Sequence, residues 1–147
     1  MAEDSRVACV FCQIRDQRAA VYRIHEDEHS LAILDINPFA KGHSLVVSKR
    51  HVPWWHDLTE EETASLFRVA RFTAEKIKRA FHPDFVCLYA RGRRIPHTHI
   101  FLVPTFSGDV LDKFFNGLER AQESSGELAP LREPGCLQEV ADRLRAI

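Results

Sequence analysis

Apolar and polar positions along the chain recur at spacings that predict five strands and three helices. Tyr22 to His25 and Ser30 to Asp35 are predicted as strands joined by the polar turn Glu26-Asp27-Glu28. Asn37-Pro38 breaks the chain and Lys41-Gly42 makes a further turn. His43-Ser44-Leu45-Val46-Val47 is the third strand, ending in two β-branched residues. Thr59-Glu60-Glu61-Glu62 then reads as a capping box, with Thr59 as N-cap and Glu62 three residues on. Phe67, Ala70, Ala74, Ile77 and Phe81 recur three and four residues apart, predicting a long helix with one apolar face that Pro83 stops. Phe85 to Tyr89 is the fourth strand. The fifth begins at His97, and period-two alternation puts His97, His99 and Phe101 on one face and Thr98, Ile100 and Leu102 on the other.

Beyond the fifth strand, Asp109 to Ala121 is predicted as a short helix whose apolar residues are Val110, Leu111, Phe114, Phe115 and Leu118. Glu123-Ser124-Ser125-Gly126-Glu127 reads as a flexible link. A final amphipathic helix from Cys136 to Arg145 carries Leu137, Val140, Ala141 and Leu144 on one side, suited either to capping the domain or to docking on a partner subunit. Residues 1–122 are accordingly read as one domain, and 123–147 as a linker and C-terminal helix. Hairpin-like connections around one long helix favour an α+β fold, a roughly five-stranded antiparallel sheet with C-terminal helices.

Composition narrows the function classes. The 147 residues are 45% hydrophobic and 28% charged, the profile of an ordinary globular domain with a real core. A formal net charge of -1 provides no field for non-specific binding to nucleic acid or membrane, so any anionic ligand needs a local site. No apolar run reaches the roughly 18 to 20 residues of a membrane span, and Met1 to Arg6 lacks a signal-peptide pattern, making the cytoplasm the expected compartment. Four cysteines in that setting argue against a disulfide framework. Cys87 and Cys136 read as buried fillers.

Chemistry concentrates in a few places. His97 and His99 stand about 7 Å apart on one strand face, where each imidazole needs a hydrogen-bond partner or a metal. Cys9-Val10-Phe11-Cys12 offers two soft ligands of the kind zinc takes, with His51 and His97 as candidates to close a tetrahedron; a redox pair is the other reading of a C-x-x-C. His99 is fit for nucleophilic attack on phosphorus, since a neutral imidazole can form a covalent intermediate. Arg91, Arg93 and Arg94 around Gly92 could meet phosphate charge in bidentate fashion. Trp54 and Trp55, after Pro53, read as exposed, serving either as a contact surface or as a hydrophobic lid.

Four separated stretches together resemble the histidine triad (HIT) family of nucleotide hydrolases and transferases, in its zinc-containing bacterial-type branch. They are Cys9-Val10-Phe11-Cys12, Leu31-Ala32-Ile33-Leu34-Asp35-Ile36-Asn37-Pro38, Lys41 to Val52, and Ile95 to Pro104. The resemblance runs from about residue 8 to residue 106 and implies the family's fold. It implies that His99, the middle position of the H-φ-H-φ-H-φ-φ pattern, attacks the α-phosphate of a purine nucleotide and becomes nucleotidylated. It further implies a structural zinc on Cys9, Cys12, His51 and His97. Asp35 would accept from the ribose hydroxyls, Leu34 and Ile36 would line the base pocket, and His43 would be structural. Homodimers whose sheets join across the interface are the family's usual state.

Two departures from the family pattern bear on function. Phe101 occupies the third triad position and cannot hydrogen-bond to phosphate or leaving group; losing one such donor typically costs about 10² to 10³ in rate. The loop before the triad reads Gly92-Arg93-Arg94 where the family usually has Gly-Gln or Gly-Gln-Ser, pointing to a phosphate clamp built from Arg93 and Arg94. The leading expectation is a hydrolase of nucleoside phosphoramidates or dinucleoside polyphosphates acting through His99. A nucleotide-binding module with little catalysis, and a purely structural zinc protein, are the alternatives.

Overall fold

The computed structural model describes residues 8–147. Elements follow in the order α1 (Val10–Arg15), β1 (Arg23–Glu26), β2 (Ser30–Leu34), β3 (Ser44–Ser48), a 3-10 turn (Trp55–Asp57), α2 (Glu60–Phe81), β4 (Phe85–Tyr89) and β5 (His99–Thr105). The five strands form one sheet in the order β1-β2-β3-β5-β4. Every neighbouring pair is antiparallel, including β3 and β5, which α2 and β4 separate in sequence. The α+β architecture read from the strand and helix order is thus the observed one.

Alternation along the strands sorts the core into two layers. Leu31, Ile33, Leu45 and Val47 face Cys9, Phe11, Cys12 and Ile14 of the α1 region, and the half-buried Phe101 packs on this side. Ala32, Val46, Ile100 and Leu102 face the opposite way, against Leu66, Val69, Ala70 and Ile77 of α2. Burying each large aliphatic side chain contributes about 1.5–3 kcal/mol as an upper figure. The register pairs Val47 with His99 and Leu45 with Phe101, which carries the alternation from β3 to β5.

Helix α2 begins with the expected capping box, the Thr59 hydroxyl accepting from the Glu62 amide and the Glu62 carboxylate from the Thr59 amide. It ends at Phe81, where His82 turns left-handed (φ 51°) ahead of Pro83. Its buried face differs from the expected one. Leu66, Val69, Ala70, Thr73 and Ile77 are inside, whereas Phe67 and Phe81 are 47% and 41% exposed. The Phe81 ring instead lies over Gly42 (φ 95°), where an added Cβ would stand 2.7 Å from it.

The chain divides at Ser107/Gly108 into two compact units. The second contains α3 (Val110–Ser124), capped by the Asp109 carboxylate accepting from the Asp112 amide, and α4 (Pro134–Arg145). The stretch read as a flexible link is ordered: α3 runs to Ser124 and a 3-10 helix covers Gly126–Arg132. Cys87 and Cys136 are half-buried rather than interior fillers. Among the described residues, no helix is long and apolar enough to cross a membrane.

Candidate functional site

Helix α1 aims two thiols in one direction, because Cys9 is its N-cap and Cys12 closes its first turn. Into the same space come His51, just past β3, and His97, just before β5. The ligating atoms of Cys9, Cys12, His51 and His97 all lie within 4.8 Å of one another. Individual separations are 3.3 Å from Cys9 Sγ to His97 Nδ1, 3.2 Å from Cys12 Sγ to His51 Nδ1, and 3.1 Å between the two Nδ1 atoms. The edges of a tetrahedron around zinc, with its usual bonds to sulfur and nitrogen, are about 3.3 to 3.8 Å. Two thiols and two imidazoles at such spacing fit a closed, four-coordinate metal centre.

The surroundings prepare these groups as ligands. The Nε2–H of His97 donates to the Ser48 carbonyl at 2.6 Å, leaving Nδ1 with its lone pair directed at the thiols. Burial pushes the His97 pKa down to about 4, keeping the ring neutral. Burial, with Cys9 alongside, pushes the Cys12 thiol up to about 11. A divalent cation would reverse that preference and take the thiolate. The Arg15 guanidinium donates to the Lys49 carbonyl at 2.8 Å, tying α1 to the segment that carries His51.

His99 follows two residues later with the opposite arrangement. Its Nδ1–H donates to the His97 carbonyl at 2.6 Å, so the lone pair resides on Nε2. The ring lies 4.9 Å from Phe11 and 5.2 Å from Phe101, between centroids. Burial lowers its pKa from the ordinary value, opposed by the bond to the His97 carbonyl and by the charge of Asp35. A neutral imidazole with one nitrogen fixed and the other unprotonated has what nucleophilic attack requires.

The remaining predicted residues are placed unevenly. The Asp35 carboxylate accepts from the Asn37 amide at 2.7 Å and stands 3.5 Å from Nε2 of the buried His43. His43 Nδ1 accepts from the Phe39 amide, so its proton sits on Nε2, towards Asp35. Leu34 lines a groove on the α2 side of the sheet with Ile77 and Phe81, away from the layer that holds Phe101. Ile36 is 79% exposed. Arg93 and Arg94 are exposed, and neither lines the cleft at His99. That cleft, about 100 Å³, is walled by Trp54, Trp55, His56, Arg91 and Gly92 beside His99. Of these, Arg91 was expected near the phosphate that His99 would attack, whereas Trp54 and Trp55 stood out in the sequence without a link to His99. The doublet of tryptophans after a proline was the available signal.

Residues 17–108 match the HIT domain family. The chain is 31% identical over 103 residues to an adenosine 5′-monophosphoramidase of Schizosaccharomyces pombe, spanning 67% of this chain and 74% of that protein. A zinc-bound histidine triad family protein of Mycobacterium smegmatis superposes with a TM-score of 0.65 at 29% identity, over 79% of this chain and 99% of that one. A HIT family protein of Bacillus subtilis superposes with a TM-score of 0.75 at 25% identity, over 94% and 95%. By sequence and by fold, this chain belongs to the HIT family.

Proposed function

We propose that the protein is a nucleotide hydrolase that cleaves nucleoside phosphoramidates or dinucleoside polyphosphates through a nucleotidyl intermediate on His99. The observation that carries this reading is the His99 tautomer: Nδ1 is committed to the His97 carbonyl and Nε2 keeps the lone pair, at the wall of an open cleft. Asp35 would accept from the ribose hydroxyls, and its charge acts on His99. Ile36 would flank the base, whereas Leu34 faces the α2 side of the sheet, away from His99, and has no place in that pocket. Arg93 and Arg94 would meet phosphate charge by swinging in from the surface. Cys9, Cys12, His51 and His97 would hold a structural zinc, whose four protein ligands leave no position for water and whose chemistry is to fix the segment presenting His99. The chain would act as a cytoplasmic homodimer on a purine nucleotide, with residues 1–122 as the HIT domain and 123–147 as linker and final helix.

The proposal is tested by release of AMP from adenosine 5′-phosphoramidate, native protein beside His99→Ala. Release by the native chain alone is the expected result; equal release by both would overturn the role of His99. A second reading, a binding module with little catalysis, has its own observation. Phe101 stacks on Tyr89 at 4.8 Å and closes an apolar contact with His99 at the position where the family has a hydrogen-bonding side chain. Nucleotide affinity without turnover would favour that reading.

A further inference from the structure

The cleft at His99 carries recognition chemistry that the release of a small amine does not use. Given the reading of His99 as nucleophile, we propose that Trp54, Trp55, His56 and Arg91 form a subsite for the departing half of the substrate. The chemistry of its walls assigns that half an anionic phosphate and an aromatic ring, as in the second nucleotide of a dinucleoside polyphosphate.

The subsite lies on the far side of His99 from Asp35. The amide and hydroxyl of Thr98 both donate to the Val52 carbonyl at 2.7 Å, pinning the segment that leads to Trp54 beside the N-terminal end of β5. Asp35 lies the other way along the sheet. Its amide donates to the His43 carbonyl at 3.0 Å, and the His43 ring lies 5.8 Å from Phe101, beyond His99 along β5. A substrate with its nucleoside at Asp35 and its phosphorus at His99 therefore has its other end directed at the indoles.

The walls suit one kind of occupant. Gly92 has φ 72°, and an added Cβ would stand 3.6 Å from the Trp54 ring, so the loop backbone lies against the indole and sets its plane. Trp54 and Trp55 remain 44% and 55% exposed, leaving surface on which a base can stack. The cleft, about 100 Å³ and open to solvent, accepts a phosphate group, and the exposed indole rim is where a ring can stack. Arg91 supplies a fixed positive charge and forked donors for phosphate. An amine leaving group, neutral or cationic, gains nothing from that guanidinium.

The step balances without a further reactant. The Nε2 lone pair of His99 forms a bond to the α-phosphorus while the P–O bond to the departing phosphate breaks. That oxygen keeps the electron pair and leaves as an anion, where Arg91 meets it. Water then adds to phosphorus, the P–N bond returns its pair to His99, and the water proton passes to solvent.

The chain has two tryptophans, both in this cleft, so intrinsic indole fluorescence reports on it directly. In full-length His99→Ala, diadenosine tetraphosphate should quench this emission saturably and several-fold more deeply than AMP. Trp55→Ala and, separately, Arg91→Gln should weaken binding of the dinucleotide relative to AMP. In the catalytically intact chain the same two substitutions should lower the ratio of kcat/KM for diadenosine tetraphosphate over adenosine 5′-phosphoramidate by about tenfold to a hundredfold, the scale of one lost base–aromatic stack or phosphate contact. Equal quenching by AMP and dinucleotide, or a ratio that neither substitution moves, overturns the subsite. Arg91 is exposed, so Arg91→Gln remains decisive should Trp55→Ala fail to fold. Native protein that cleaves neither substrate defeats the nucleophile reading alone, and the fluorescence comparison still decides the subsite.

Discussion

His97 and His99 are the same residue type two positions apart, and the structure uses them in opposite ways. His97 gives its Nε2–H to the Ser48 carbonyl and turns Nδ1 inward to two thiols and a second imidazole. His99 gives its Nδ1–H to the His97 carbonyl and keeps the lone pair on Nε2, in a ring that lines the cleft. One carbonyl in each case decides which nitrogen stays unprotonated. The donor cluster is buried apart from the half-buried His51, whereas the cleft has a wall of aromatic and cationic side chains and an open mouth. Ring identity therefore says little about role; the partner of the second nitrogen says most of it.

Exchanging each ring for a methyl group separates the two regions most sharply. His99→Ala should lower turnover at least about 10⁴-fold, or about 5.5 kcal/mol of barrier, while the melting temperature falls only by what one buried ring contributes and stays as sensitive to chelator as in the native chain. Loss of that chelator sensitivity in the variant would erase the contrast. His97→Ala should do the reverse first, abolishing metal binding and the stability that comes with it. Ligation by folded protein alone adds about 4 kcal/mol at free metal a thousandfold above Kd. The check is thermal unfolding with and without chelator, beside metal content measured by atomic absorption. A native chain whose melting temperature ignores the chelator would remove the centre from the account of stability.

The contrast also marks where sequence is informative. Cys9, Cys12, His51 and His97 were legible because metal ligands must be particular residue types, and α1 and the ends of β3 and β5 must bring them together. The sheet was legible because its strands are short apolar runs bounded by turn residues, even though β2 and β3 are buried on both faces and show no apolar–polar alternation. The face of α2 was legible in part: Ala70 and Ile77 are buried as expected, but Phe67 and Phe81 outweighed Leu66 and Val69 in the pattern, while the fold buries the aliphatics and lays Phe81 over Gly42. The cleft wall was illegible for another reason. Trp54 and Arg91 come from irregular segments far apart in sequence, which carry no periodic signal to show that they line one cleft.

Phe101 offers a way to sharpen the catalytic side. Phe101→His would place a donor beside His99, and a gain of about 10- to 100-fold in kcat is the expected outcome if the missing interaction acts in the transition state. The ring stacks on Tyr89, so the substitution should cost about 1 kcal/mol of stability. Steady-state turnover of adenosine 5′-phosphoramidate measures the first effect and urea unfolding the second. Unchanged kcat in a folded variant would show that this protein reaches its rate without a third polar group.

The smallest effect concerns what the two regions share. Arg50 precedes His51, and its guanidinium donates to both Glu62 oxygens at 2.6 and 2.7 Å and to the Asp57 carbonyl. One clamp thus holds the loop that supplies His51 to the Cys/His donor cluster and Trp54 to His56 to the cleft. The Arg50 hydrogen bonds, above all other causes, lower the Glu62 pKa from its ordinary 4.5 to about 2. A carboxylate depressed in this way stabilises the fold above its unfolded value and loses that contribution as pH falls through the folded one. Arg50 is half exposed, so solvent screens the pair and Glu62→Gln should cost about 1–2 kcal/mol at neutral pH. The difference between native and variant should close from about pH 4.5 down to about 2, measured by urea unfolding at each pH. Glutamine keeps an oxygen to accept from the Thr59 amide, so the variant leaves the cap in place and isolates the charge of the Arg50 pair. A difference that persists undiminished at the acid end would therefore mean that the carboxylate charge is not what Glu62 contributes, and the pair with Arg50 would be incidental to both regions.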